Sequence, residues 1–153
     1  MRAIGTAAAI GVGWLLAAMA AWGYEHHDHS QATGVVKERM DAMAEMGKRM
    51  KAISRRVRSS ESLGKVAEDA AFIRDTATKI VPLFPAGSKQ PPTEAASAIW
   101  RNLEDFEVKA KTLEQEAAKL ASISGADAPA TARQATAVVD ACLSCHEKYR
   151  IKQ

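Results

Sequence analysis

"IWRNLEDFEVKAKTLEQEAAKL", residues 99–120, places Ile99, Leu103, Phe106, Ala110, Leu113, Ala117 and Leu120 in alternating steps of four and three. Side chains so spaced line one face of a helix, and the charged residues between them occupy the other. A seam this regular packs against neighbouring helices at a shallow angle, the geometry of a bundle. A break near Asn102 is compatible with the pattern.

Three further helical patterns surround it. From Thr33 to about Arg58 the stripe is Val36, Met40, Met43, Gly47, Met50, Ile53 and Val57. A second helix runs to about Val81 through Val66, Phe72, Ile73, Ala77 and Ile80, and Pro82 ends it. "SSES", residues 59–62, separates the two and offers N-cap hydroxyls. "PLFPAGSKQPP", residues 82–92, holds four of the five prolines and is the one substantial loop, with Thr93 placed to cap the next helix. After "SGADAP", residues 124–129, a last helix spans about Thr131 to Tyr149. No stretch alternates with period two over a useful length. The expected class is all-α, an antiparallel up-down-up-down four-helix bundle over residues 33–153.

The first residues read as an export signal. Arg2 precedes an uncharged run from Ile4 to Ala21, and small residues place a cleavage site after Ala20 or Gly23, giving a signal peptide over 1–23. An uncleaved anchor is the alternative for a run approaching roughly 20 residues. Its many alanines and glycines make it weakly hydrophobic, which favours cleavage and a periplasmic location, with no integral membrane segment afterwards. Residues 24–32 form a polar, mobile tail in which His26, His27, Asp28 and His29 offer a copper or nickel site but read better as solvated. The formal charge of +3 becomes +2 without Arg2, acids and bases are interspersed, and aromatics are 5%. Nucleic-acid binding has no support in such a composition.

"CLSCHEKYR", residues 142–150, contains both cysteines of the chain. An oxidising compartment would ordinarily join them as a disulfide. A thioredoxin-like pair needs a strand before the motif, and zinc needs four ligands when the other histidines lie in the distant tail. The remaining reading is covalent haem attachment, of which C-x-x-C-H is the signature. Two sulfurs must each add to a vinyl group on one edge of a flat macrocycle, and helical residues three apart project on the same side. The residue after the second cysteine then brings an imidazole nitrogen under the iron. Cys142 and Cys145 are therefore expected to form thioethers to one haem c, with His146 as the proximal axial ligand.

A C-x-x-C-H motif on the last helix of an exported bundle resembles the cytochrome c′ family, the class II c-type cytochromes. "CLSCHEKYR" is similar to that family's ending, "LFPAGS" with "IWRNLEDF" to its loop and third-helix entry, and "MDAMAEMGKRMKAIS" to its first helix. The resemblance implies one of two iron sites. One branch is five-coordinate, high-spin and binds small gases; in the other a first-helix methionine completes a low-spin site for electron transfer. Among Met40, Met43, Met46 and Met50, depth along the helix favours Met40. His146 is about 8 Å from the end of its helix and Met40 about 10 Å from the start of the first, with Met50 another ~15 Å deeper. Met40 also matches the family's distal position, so it is expected to be the distal ligand, with Met43 lining the haem edge. Where many gas-binding members have Arg four residues before that position, this chain has Val36, flanked by Lys37 and Arg39. Arg150, four residues beyond His146, shares its helical face and is expected in the haem surroundings.

The first expectation is thus a periplasmic mono-haem electron carrier with methionine–histidine ligation. It exchanges electrons with periplasmic or membrane-bound redox proteins, and a homodimer is among its expected partners. The alternative is a five-coordinate, high-spin protein binding nitric oxide or carbon monoxide. A haem-free periplasmic metal-binding helical protein comes third. No second acid–base constellation accompanies the motif, so no enzyme is expected.

Overall fold

The computed structural model describes residues 31–60, 62–125 and 127–151. The proposed signal peptide and the tail histidines lie outside the described residues. The elements are α1 (Gly34–Ser59), α2 (Gly64–Ala77), a single 3-10 turn (Val81–Leu83), α3 (Ala98–Arg101), α4 (Leu103–Ile123) and α5 (Ala128–Tyr149). No strand occurs among the described residues, only an isolated antiparallel bridge between Ala95 and Arg150. α3 and α4 form one arm interrupted at Asn102, whose φ of −139° and ψ of 52° leave the helical region. The result is the expected four-helix bundle.

Apolar side chains from all four arms close the core. Ile53 of α1, Val66, Ala70 and Ile73 of α2, Ile99 and Phe106 of the third arm, Ala117 and Leu120 of α4 and Val138 of α5 are almost wholly buried. Each large aliphatic or aromatic chain among these contributes roughly 1.5–3 kcal/mol by leaving water. Packing is uneven around the ring. α2 against α4, α4 against α5 and α1 against α2 are extensive seams, whereas α1 meets α5 sparsely. The bundle is firm on three sides and loose on the fourth, between the helix that carries the methionines and the helix that carries the cysteines.

Several boundaries differ from the sequence reading, each for a local reason. α2 ends at Ala77, but the chain keeps winding through i→i−3 bonds, Ile80 N–H to Ala77 O and Leu83 N–H to Ile80 O, so Pro82 sits inside a 3-10 turn instead of ending a helix. α5 starts at Ala128 because Pro129 falls in its first turn, where a missing N–H costs nothing. The break at Asn102 turns Leu103 out of the seam to 44% exposure. In α1 the buried methionine is Met46, which lies outside the expected stripe. None of the three serines caps α2: its N-cap is Leu63 with no side-chain bond, and Ser60 ends α1 in the left-handed region. Thr93 caps no helix; its hydroxyl accepts from Ala95 N–H at 3.1 Å and from Arg39 at 2.7 Å.

Two charged residues sit inside. Asp69 is buried between α1 and α2, accepting from Arg49 Nη1 at 3.1 Å and from Arg56 Nη1. Arg39, 2% exposed, reaches from α1 into the proline-rich loop. Its Nη1 donates to Ser88 Oγ at 2.9 Å and Leu83 O at 3.4 Å, its Nη2 to Ser88 O and Thr93 Oγ1, and the guanidinium lies 4.9 Å from the Phe84 ring centre. These bonds fasten the loop to α1.

Candidate functional site

The site is built on the last two turns of α5. Its buried face runs Thr131, Ala135, Val138 and Ala141, and the same side continues through Cys142 and Cys145 to Tyr149. Cys142 and Cys145 are both free thiols, half-buried, and both pack against the core cluster. Three-residue spacing on a continuous helix keeps them on one side, one turn apart. Burial pushes the Cys142 thiol up to about 11, with the Cys145 charge adding to it, and burial likewise pushes Cys145 up to about 11 against the attraction of Lys109. Both sulfurs therefore remain thiols at neutral pH.

His146 follows on the same turn. Burial pushes its imidazolium form down, and the nearby Arg150 guanidinium adds to that, while Glu94 opposes it. The ring makes no side-chain hydrogen bond to the described residues, so a neutral imidazole keeps its lone pair for a metal. Two sulfurs one turn apart on one side of α5 and an uncommitted imidazole form a donor set that fits a covalently held haem. Among the described residues no group of three or more His, Cys, Asp and Glu could by itself hold a metal ion.

An aromatic row stiffens the base of this turn. Tyr149 is buried and stands edge-on to Phe106 at 5.2 Å, and Phe106 stands edge-on to Phe84 at 5.0 Å. The Tyr149 hydroxyl donates to Asp105 Oδ2 at 2.5 Å, which also accepts from Lys148 Nζ at 2.8 Å. Arg150 leaves the helix and its Nε donates to Glu94 Oε2 at 2.5 Å. Lys109 Nζ donates to Ser144 Oγ at 2.7 Å on the outer face.

The methionines separate by environment. Met46 is buried in the core, and Met43 and Met50 are half-buried against it. Met40 is half-buried too, and is the one of the four that is not packed against the core cluster. Arg39, one of the flanking cations considered beside Val36, is committed to the loop and is no substitute propionate partner; Val36 itself is buried. Lys37 pairs with Asp41 on the surface. Sequence reasoning missed Glu94 altogether, because its relation to Arg150 exists only through the long-range bridge. It also missed Arg39 as an interior residue, since a cation in a helical stripe reads as solvent-facing.

A family model described as Cytochrome C′ matches residues 34–150. Cytochrome c-556 of Agrobacterium tumefaciens is 35% identical over 123 residues, covering 78% of this chain and 99% of that protein. Among solved structures, the cytochrome c′ of Rhodopseudomonas palustris superposes with a TM-score of 0.71 at 27% identity, over 80% of this chain and 99% of the other. A further cytochrome c′, described by its unusual ligand-controlled dimer dissociation, gives a TM-score of 0.72 at 26% identity, over 77% and 95%.

Proposed function

We propose, for a chain that belongs to the cytochrome c′ family, a gas-binding role on the periplasmic side of a bacterial membrane. The cofactor is one covalently attached haem c, as in its relatives. In this reading Cys142 and Cys145 hold it by thioethers, His146 is its single protein axial ligand, and Met40 and Met43 line the remaining side. When bound, the group supplies an iron that changes between ferric and ferrous and takes nitric oxide or carbon monoxide. The protein's own part is positional. α5 aligns the two sulfurs, burial keeps the imidazole neutral, and the Phe84–Phe106–Tyr149 row holds the turn still.

The observation that carries the gas-binding reading over the electron carrier is the likeness to solved cytochromes c′ at 26–27% identity, one described by ligand-controlled dimer dissociation. A protein whose ligand controls its dimer has a position for that ligand. By the same likeness a homodimer is the proposed assembly. Family members are periplasmic in bacteria, and no helix among the described residues is long and apolar enough to cross a membrane.

One observation favours the second reading, a low-spin electron carrier serving redox proteins of the same compartment. Met40 stands outside the core, so its thioether is uncommitted. Absorption spectra of the purified protein, oxidised and reduced, with and without carbon monoxide, decide between them. High-spin spectra with rapid carbon monoxide binding are the expected result. Low-spin spectra in both states, insensitive to carbon monoxide, would favour the electron-carrier role, and their loss in Met40→Ala would assign Met40 as sixth ligand.

A further inference from the structure

The end of α5 is tied down by a distant segment. Ala96 N–H donates to Tyr149 O at 2.9 Å, and Ile151 N–H donates to Glu94 O at 2.8 Å. This pairing lays the Glu94 side chain on Arg150, whose Nε donates to it at 2.5 Å. Arg150 N–H in turn donates to His146 O at 3.0 Å, which ties the Arg150 backbone to that of His146 four residues earlier. The carboxylate is the better buried partner, its side chain 21% exposed against 43% for Arg150. Three backbone hydrogen bonds thus fix one ion pair at the end of the helix that carries His146.

We propose that Glu94 is a positioning residue: it holds Arg150 and cancels its charge on the His146 side of the haem, thereby setting the reduction potential. The proposal rests on His146 being the axial ligand. The physical reason is Coulombic. Ferric iron carries one more positive charge than ferrous, so a lone guanidinium nearby favours the ferrous state, and a paired one presents only a dipole. An exposed ion pair contributes little to folding stability, so the conspicuous effect of this one lies in the field it makes.

The test is a set of redox titrations of the haem-loaded protein, followed by absorbance. Glu94→Gln is expected to raise the ferrous-to-ferric ratio at fixed applied potential roughly tenfold, about 59 mV for a one-electron couple. Arg150→Gln should move it the opposite way, the double variant should return close to wild type, and Glu94→Asp should restore most of the shift. Two results overturn the proposal: single variants that shift in the same direction, or a Glu94→Gln protein that melts earlier with its potential unchanged. The latter would leave Glu94 as a mere fastening of the chain end. A His146→Gly protein with an unaltered haem spectrum would remove the ligand assignment and the proposal with it. An unchanged potential with that ligand intact removes the counter-charge alone.

Discussion

Arg39 and Ser88, 49 residues apart in the chain, share two hydrogen bonds: Nη1 donates to the hydroxyl at 2.9 Å and Nη2 to the backbone carbonyl. The guanidinium is held inside because Leu83, Ser88 and Thr93 supply acceptors and Phe84 supplies a π face. Only its Nε goes without a partner. Burial pushes its pKa down, yet an arginine stays charged at any ordinary pH.

Replacing Arg39 should therefore loosen the loop. Arg39→Met keeps the apolar stem and removes the donors, and is expected to cost about 2–3 kcal/mol in urea unfolding. Arg39→Lys should recover little, since an ammonium cannot span the same set of acceptors. Limited proteolysis should cut the Met variant within residues 85–93. Resistance equal to wild type would show that the proline-rich loop holds its own shape.

The α1 methionines should divide into spectral and structural classes. Met46→Ala, in the core, should cost about 2–4 kcal/mol and leave the haem spectrum alone. Met43→Ala and Met50→Ala, half-buried, should cost less than Met46→Ala. Met40→Ala should leave stability nearly unchanged and alter the spectrum or the rate of carbon monoxide binding. A Met40→Ala protein identical to wild type in both would remove this residue from the haem surroundings.

Covalent attachment is checked by acidified acetone and mass spectrometry. Haem should stay with the chain, and Cys142→Ala or Cys145→Ala should retain at most one thioether. Complete extraction of colour from the wild-type protein contradicts the assignment of both sulfurs.

Acid should weaken the α4–α5 contact in a defined direction. Hydrogen bonds from Lys148 and then Tyr149 hold the Asp105 carboxyl below its ordinary value of 3.8. A carboxyl whose folded pKa is depressed stabilises fully above the unfolded value, and the gain is lost as pH falls through the folded one. Asp105→Asn should lower the melting temperature at pH 5–7, with the gap closing below about pH 4. A gap that persists at pH 2 would mean that packing, not charge, accounts for it.

The seam over residues 99–120 made the bundle legible, because helix periodicity depends on which side chains leave water and not on distant partners. The same logic misplaced Leu103, where the turn at Asn102 resets the register. C-x-x-C-H was legible because its spacing is local and its chemistry demanding. Arg39, Asp69 and Glu94 were not, since each takes its role from residues 13 to 56 positions away, through contacts that no periodic pattern encodes. The methionines lie between these cases: helical depth and the family's distal position singled out Met40, and the structure sets it apart from the core without assigning it to the iron.

The sparse seam between α1 and α5 bears on how the protein is assembled in time. α2 packs broadly on both α1 and α4, and α4 on α5, so the sparse seam is where the bundle opens at least cost. Amide exchange in the haem-free chain should accordingly run fastest along the start of α1, and haem addition should slow it there most. An opening there would separate the first helix from the last while the other three seams stay closed.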